Sequence, residues 1–300
     1  MELSPLARQR YDAVLAAAGD VVVGLDYDGT LAPIVPDPAA AVIHPEAPDM
    51  LVALAGQVRA VVVLTGRPAG QAVALGGLEA LADRLPADGL LLVLGQYGHE
   101  RWDSDARTTT SPPPPAGLAA LAEELPDLLA GCDAADAFVE DKGLALAVHT
   151  RRLPEPQAAF ERLHPVLAEA ANRHGLHLEP GRMVLELRAP GMNKGDALRA
   201  AAAELEAGAL VFAGDDLGDV EAFRAVAALR EGGLPGRDEG ALPGRAEGAL
   251  PGRDEGGLPG LLVCSGSEEQ EALVELADLV VDGPAGVVDF LRRLTADLSG

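Results

Sequence analysis

Short runs of consecutive apolar residues, rich in valine and leucine, punctuate this chain, and each stops abruptly at glycine, aspartate or threonine. They are VVVGLD at 21–26, AVVVLT at 60–65, GLLLVLG at 89–95, ALVFAGDD at 209–216, LLVCSG at 261–266 and DLVVDG at 278–283. Runs this short, bounded by turn residues, read as strands buried on both faces. Between them apolar positions recur at helical spacing, over residues 3–18, 46–58 and 193–205. Strands alternating with helices predict an α/β fold with a doubly wound, mostly parallel sheet.

The pattern changes in the middle of the chain. After SPPPPAG at 111–117, a stiff polyproline connector, come a helix at 117–131, a strand pair in AFVEDKGLALAVHTRR, a helix at 155–175, and a second pair, LHLEP and GRMVLELRAP. Helix–strand–strand repeated twice predicts a compact α+β cap, placed at 103–188, inserted into a core formed by 1–102 and 189–300. Residues 234–260 fit neither pattern: they repeat an octapeptide, LPGRDEGA, LPGRAEGA, LPGRDEGG, before a final LPG. One leucine per unit is too little apolar surface to stack into a solenoid, so this stretch is expected to be a flexible surface insertion without chemistry.

Composition narrows the function classes. Hydrophobic residues make up 48% of the chain but aromatics only 3%, so aliphatic side chains must fill the core. The formal net charge of −24 repels nucleic acid and anionic membranes. An anionic substrate then needs local cations or a bound metal. The two cysteines, Cys132 and Cys264, match no metal-binding spacing. The first twenty residues lack the apolar stretch of a signal peptide, and no apolar span of ~20 residues occurs, so a soluble cytoplasmic protein is expected.

Four polar stretches fall at strand ends or before a helix: Asp26-Tyr27-Asp28-Gly29-Thr30, Thr65-Gly66-Arg67, Asn193-Lys194-Gly195-Asp196 and Gly214-Asp215-Asp216-Leu217-Gly218-Asp219. Taken singly, each has a plain structural reading, as a turn, a strand cap, a solvated lysine or a helix N-cap. In a doubly wound sheet, however, the carboxyl ends of the strands converge on one edge, where ligands bind. Several carboxylates packed there repel one another unless a cation intervenes, and hard oxygen ligands suit Mg2+. A phosphate is then tolerated: Lys194 and the Thr65 hydroxyl can hold phosphoryl oxygens, and one aspartate can act as nucleophile. A dinucleotide-binding reading fails, because the first strand is followed by Asp-x-Asp-Gly rather than a glycine-rich turn.

These four stretches, in this order, resemble the motifs of the haloacid dehalogenase-like phosphatases, and the insert resembles that family's C2-type cap. The resemblance implies that Asp26 is the nucleophile and Asp28 the general acid and then base. It also implies Mg2+ held by Asp26, the backbone carbonyl of Asp28 and Asp215, with Asp216 and Asp219 acting directly or through water.

The cap carries Glu140, Lys142, His149, Arg151, Arg182, Glu186 and Arg188 on otherwise apolar strands. Mixed carboxylates and cations suit a polyhydroxylated sugar, and the same pattern is what a solvated sheet face with cross-strand ion pairs produces. GLDYDGTLAPIVPDP, VEDKGLALAVHTR, GRMVLELRAPGMNKGDAL and VFAGDDLGDVEAF are similar to the trehalose-6-phosphate phosphatases. That resemblance implies a small-molecule sugar phosphate, trehalose 6-phosphate, as substrate, Glu140, Lys142, Arg182 and Glu186 at sugar-binding positions, and Arg67 and Lys194 near the phosphate. Glu100 is retained from the loop motif of that family, whereas Tyr97 stands where a histidine is common and His99 is displaced. The competing readings are a related phosphatase of sucrose 6-phosphate or a glycosylglycerate phosphate, and a catalytically inactive regulatory or binding module.

Overall fold

The computed structural model describes residues 3–35, 37–191, 193–232, 257–266 and 271–300. The chain divides into two compact units, one of Met1–Ser111 with Asn193–Gly300 and one of Pro112–Met192. The first unit holds strands β1 (Val21–Asp26), β2 (Ala60–Leu64), β3 (Leu91–Gly95), β4 (Glu100–Asp103) and β5 (Thr109–Thr110). The second holds β6 (Phe138–Asp141), β7 (Ala145–His149), β8 (His177–Gly181) and β9 (Val184–Arg188). The first unit then resumes with β10 (Ala209–Gly214), β11 (Gly260–Gly266) and β12 (Leu279–Asp282).

The large sheet runs β12-β11-β10-β1-β2-β3-β4-β5. Neighbours from β12 to β3 are parallel, and β4 and β5 add antiparallel. Alternate side chains enter two apolar layers, as a strand's period of two requires. Val21, Val23 and Leu25 of β1 join one layer with helices α1 (Pro5–Leu15), α2 (Ala47–Ala55), α3 (Ala69–Leu75) and α4 (Leu78–Ala82). Val22 joins the other layer. After α5 (Ala116–Gly131) and α6 (Pro156–Arg173) of the second unit, α7 (Lys194–Glu204), α8 (Val220–Arg230) and α9 (Glu271–Leu276) cover that other face, and α10 (Gly283–Leu298) returns to the first. Apolar residues on both faces explain why these strands read as unbroken runs.

The strand order has a functional consequence. The chain steps outward from β1 through β2 to β3, then re-enters beside β1 at β10 and steps outward the other way. The direction reverses between β1 and β10, and ligands bind outside the carboxyl ends of strands at such a switch point. Asp26 ends β1, and Asp215 follows β10 directly. Away from this edge, Asp278 anchors the far side of the sheet: its buried carboxylate receives Arg10 of α1, Arg230 of α8 at 2.9 Å and the Leu262 backbone N–H at 2.8 Å.

The second unit is an antiparallel sheet, β6-β7-β9-β8. Leu118, Leu121 and Leu125 of α5 and Leu163 and Leu167 of α6 pack on Leu146, Val148, Leu185 and Leu187 of its strands. The unit begins at 112 rather than at 103, because β4 pairs with β3 and β5 with β4, which keeps residues 100–110 in the large sheet. It ends at 192 rather than 188. Lys142, Arg151 and Arg182 are not on strands. Lys142 follows β6, Arg151 follows β7, and Arg182 occupies the tight turn between β8 and β9.

Residues 233–256, which carry most of the octapeptide repeat, lie outside the described residues. The final LPG of the repeat belongs to the core: Leu258 is buried in the layer with α8, and Gly260 opens β11. The Leu258 backbone N–H donates to the Leu229 carbonyl at 2.8 Å, so the two ends of the repeat are joined. Replacing residues 233–256 with a short glycine–serine turn should therefore hold the melting temperature or raise it, since shortening such a loop recovers roughly 1 kcal/mol of closure entropy. A marked fall in melting temperature would show that the repeat packs against the core.

Candidate active site

Backbone sterics assemble the catalytic edge. Asp26 closes β1, and the chain turns at Gly29, whose φ of +79° lies in the left-handed region that glycine adopts without strain. A Cβ at this position would also lie 2.0 Å from Asp215 Oδ2, so the turn and the carboxylate fit only because the residue is glycine. Ser265 Oγ at the end of β11 donates to the Gly29 carbonyl at 2.7 Å and ties the turn to the sheet. At the end of β10 the same economy recurs. A Cβ on Gly214 would lie 2.5 Å from the Asp219 Cγ atom.

Asp219 is fully buried, and its Oδ2 accepts from the backbone N–H groups of Asp215 at 2.9 Å and Asp216 at 3.2 Å. Asp216 is exposed, and its Oδ1 accepts from the Gly218 N–H at 2.9 Å. Together they form a reciprocal capping box on the 3-10 turn Leu217–Asp219, which leads into α8. Sequence spacing left the two aspartates unranked. The structure turns Asp219 inward and leaves Asp216 as a cap.

Lys194 is the first residue of α7, where the helix dipole disfavours a cation. Its reason for being there is the acidic cluster: Nζ lies 2.5 Å from Asp26 Oδ1 and 2.7 Å from Asp219 Oδ1, with the lysine only 5% exposed. Carboxylate oxygens of Asp26, Asp215 and Asp219 lie within 4.8 Å of one another. The side chains of Asp28 and Asp216 lie outside this group. Three carboxylates and one ammonium leave the cluster at −2 when all are charged (−3 + 1).

Burial first, and then the neighbouring aspartates, push the Asp215 carboxyl up to about 8 and raise Asp26 and Asp219 as well. Burial alone would lower Lys194, but Asp219 and Asp26 outweigh it and hold the ammonium. Asp215 Oδ1 is buried without a hydrogen-bond partner. An acceptor left unpaired beside two further carboxylates fits a hard divalent cation with oxygen ligands.

The second stretch lies on the neighbouring strand end. Thr65, buried, accepts the Arg67 N–H on Oγ1 at 3.1 Å. Arg67 grips Asp28 with a two-toothed fork, Nε to Oδ2 and Nη2 to Oδ1, both 2.7 Å. Glu100 points elsewhere: its Oε2 accepts the Ala69 N–H at 2.6 Å and caps α3. Tyr97, in place of histidine, sits in a left-handed turn with Gln96, and its ring stands against Gly66.

In the second unit, pairing places Glu140, Ala147, Glu186 and Glu179 in one row across all four strands. Lys142 Nζ lies 2.5 Å from Glu186, His149 Nε2 3.0 Å from Glu140, and Arg188 Nη2 2.6 Å from Glu179. Cross-strand ion pairs are thus present on a face that is partly solvated at Glu140, His149 and Glu179, whereas Glu186 and Arg188 are only 4% and 5% exposed. Glu186 Oε1 is buried with no hydrogen-bond partner. Arg182 and Arg151 are exposed, joined through the Arg151 guanidinium and the Arg182 carbonyl at 3.5 Å.

The sequence model of the trehalose-phosphatase family matches residues 24–82 and 132–237, more than half of the chain. The chain belongs to the trehalose-phosphatase family. A probable trehalose-phosphate phosphatase of Sinorhizobium fredii is 34% identical over 215 residues, covering 70% of this chain and 74% of that protein. The C-terminal domain of the Candida albicans trehalose-6-phosphate phosphatase shares the fold, with a TM-score of 0.71 at 19% identity over 99% of this chain and 98% of that one. The C-terminal domain of a Candida albicans trehalose synthase regulatory protein shares it as well, with a TM-score of 0.65 at 13% identity over 98% of this chain and 100% of that one. Fold alone therefore does not separate an enzyme from a regulatory protein. Family membership makes this chain a phosphoric monoester hydrolase, and its fold is similar to that of a haloacid dehalogenase-like hydrolase from Bacteroides thetaiotaomicron, with a TM-score of 0.59 at 14% identity over 91% of this chain and 98% of that one.

Two contacts of the candidate residues in this trehalose-phosphatase family member are not disclosed by residue types alone. Glu179, paired with Arg188, alternates with His177 along β8, a period-two signal within LHLEP. Tyr27 is buried beneath the Arg67 guanidinium, 5.6 Å from its ring centroid, and no sequence pattern points to that contact. Among the described residues no helix is long and apolar enough to cross a membrane.

The acidic cluster yields a pH-dependent prediction. With its carboxyl raised to about 8 in the folded chain, against 3.8 for the ordinary group, Asp215 keeps a proton that the unfolded chain releases. Its contribution to stability is full below the ordinary value and is lost as pH rises through the folded one. A divalent cation substitutes for that proton. The rise in melting temperature on adding Mg2+ should therefore grow from about pH 5 to about pH 8. A gain that is flat or shrinks over this range would contradict the cluster as the cation site.

Proposed function

We propose that this chain hydrolyses trehalose 6-phosphate to trehalose and inorganic phosphate with Mg2+, through an aspartyl-phosphate on Asp26, as the last step of trehalose biosynthesis in the cytoplasm. The observation that carries the reading is the Asp26 carboxylate at the switch point of the sheet, held by Lys194 at 2.5 Å beside Asp215 and Asp219. Lys194 orients Asp26 Oδ1 and supplies positive charge where phosphoryl oxygens gather negative charge. An oxygen of Asp26 attacks phosphorus as the ester P–O bond breaks, and the departing sugar oxygen takes a proton from Asp28. Asp28 then removes a proton from water as it attacks phosphorus, releasing phosphate and restoring Asp26. Thr65 adds a hydroxyl donor to the phosphoryl oxygens.

Asp26, the Asp28 carbonyl and Asp215 would hold Mg2+, with Asp219 orienting Asp215 through its backbone and Lys194 through its ammonium. When bound, the ion offsets the charge of the cluster and of the phosphate together. In the cap, the buried and unpartnered Glu186 Oε1 supports a polar ligand with hydroxyl donors, which a sugar supplies. Glu140, Lys142 and Arg182 complete the proposed sugar contacts. Loss of Asp26, Asp28 or Lys194 would favour a regulatory reading, and all three are present.

Phosphate release from trehalose 6-phosphate, sucrose 6-phosphate, glucose 6-phosphate and glucosylglycerate phosphate, each with Mg2+ and with excess EDTA, tests this. Rapid release from trehalose 6-phosphate, abolished by EDTA, is the expected result. Preference for another ester would move the substrate to a related sugar phosphate, and no release from any would favour the regulatory module.

A further inference from the structure

Arg67 has its donors committed already. Nε and Nη2 engage both oxygens of Asp28, and Nη1 donates to the Pro38 carbonyl at 3.0 Å and to Gln71 Oε1 at 3.4 Å. That occupies four of the five N–H groups that a guanidinium carries. The guanidinium also lies over the buried Tyr27 ring, and the Arg67 side chain is only 11% exposed. A residue that is to bind substrate phosphate through this fork would first have to release Asp28.

The backbone beneath the fork is equally fixed. Gln96 N–H donates to the Arg67 carbonyl at 2.8 Å and Tyr97 N–H to the Thr65 carbonyl at 3.0 Å. Both donors come from residues with positive φ, 49° for Gln96 and 57° for Tyr97, followed by Gly98 at 97°. Non-glycine residues persist in the left-handed region only where surrounding structure holds them, and such strain concentrates at functional sites. Here the turn clamps the Thr65-Gly66-Arg67 backbone from the adjacent strand end, and Thr65 Oγ1 closes the clamp on the Arg67 N–H.

We propose that Arg67 is a positioning residue for Asp28 rather than a phosphate ligand, and that the left-handed Gln96–Tyr97 turn exists to hold it. The fork fixes which way the Asp28 carboxylate faces and separates it from the acidic cluster, whose charge would otherwise repel it. Planar, two-toothed geometry is specific to arginine, and lysine cannot reproduce it. The inference rests on the phosphatase reading, in which Asp28 carries protons to the sugar and from water.

A double-mutant cycle over Arg67→Gln and Asp28→Asn, with Arg67→Lys alongside, tests it in the Mg2+-loaded full chain. For each variant kcat, KM, the inhibition constant for inorganic phosphate and the melting temperature are measured. Arg67→Gln and Arg67→Lys should each lower kcat about 100-fold, the scale of a lost acid–base group, with inhibition by phosphate unchanged. In the Asp28→Asn background, Arg67→Gln should change kcat by less than about threefold, because residues acting as a unit do not add. Losses that multiply, phosphate inhibition weakened about tenfold or more by Arg67→Gln, or full activity in Arg67→Lys would each overturn the proposal. Should Arg67→Gln melt early, Arg67→Lys and Asp28→Asn still separate positioning from binding by the ratio of kcat to phosphate inhibition. Wild-type turnover decides the phosphatase reading and the cycle decides Arg67, so the two failures are distinct.

Discussion

The Lys194 ammonium, 2.5 Å from Asp26 and 2.7 Å from Asp219, is the contact on which the geometry of the catalytic edge depends. Charges taken out of water cost several kcal/mol each unless geometry and hydrogen bonding compensate. Asp26 arrives on β1, Asp219 from the turn after β10, and Lys194 from the first turn of α7, so one cation joins three separate segments of chain. A single positive charge does not balance three carboxylates. Burial first, and the unbalanced carboxylates second, raise Asp215, Asp26 and Asp219, and the uncompensated negative charge makes the cluster receptive to a divalent cation.

Around this cluster the backbone gives way rather than the side chains. Gly29 and Gly214 leave room for the carboxylates of Asp215 and Asp219, and Ser265 fixes the Gly29 carbonyl from a third strand. Asp28, the proposed acid–base residue, is held separately. Asp28 belongs to the Arg67 fork, with two left-handed residues bracing the arginine from β3. Two ion systems of different composition therefore occupy one sheet edge: an acidic cluster of three carboxylates around one ammonium, and an Asp28–Arg67 ion pair.

Much of this was legible in the sequence because parallel strands buried on both faces leave unbroken apolar runs, and because acidic residues at their ends have no packing role. The doubly wound, mostly parallel sheet and the four polar stretches followed, but not the order of the strands. What stayed hidden depends on contacts between distant residues. Asp216 and Asp219 are chemically alike, and only burial separates the cap from the ligand of Lys194. The sequence does not disclose that Arg67 is paired with Asp28 or that the Glu100 carboxylate accepts the Ala69 N–H at the start of α3. β4 and β5 are short and polar enough to resemble a linker, so the sequence pattern puts the start of the insert at 103, whereas the second compact unit starts at 112. In the cap, residue types disclose charged positions among apolar ones, but not that Glu186 and Arg188 are buried.

The central claim is that Asp26 carries the phosphoryl group. Quenching the enzyme during turnover of a sugar phosphate with borohydride reduces an acyl phosphate to an alcohol, and mass spectrometry of the peptide spanning Asp26 then reads the outcome. Homoserine at position 26, absent without substrate and absent with EDTA, is the predicted result. An active enzyme whose Asp26 peptide stays unmodified while another aspartate is reduced would contradict the account.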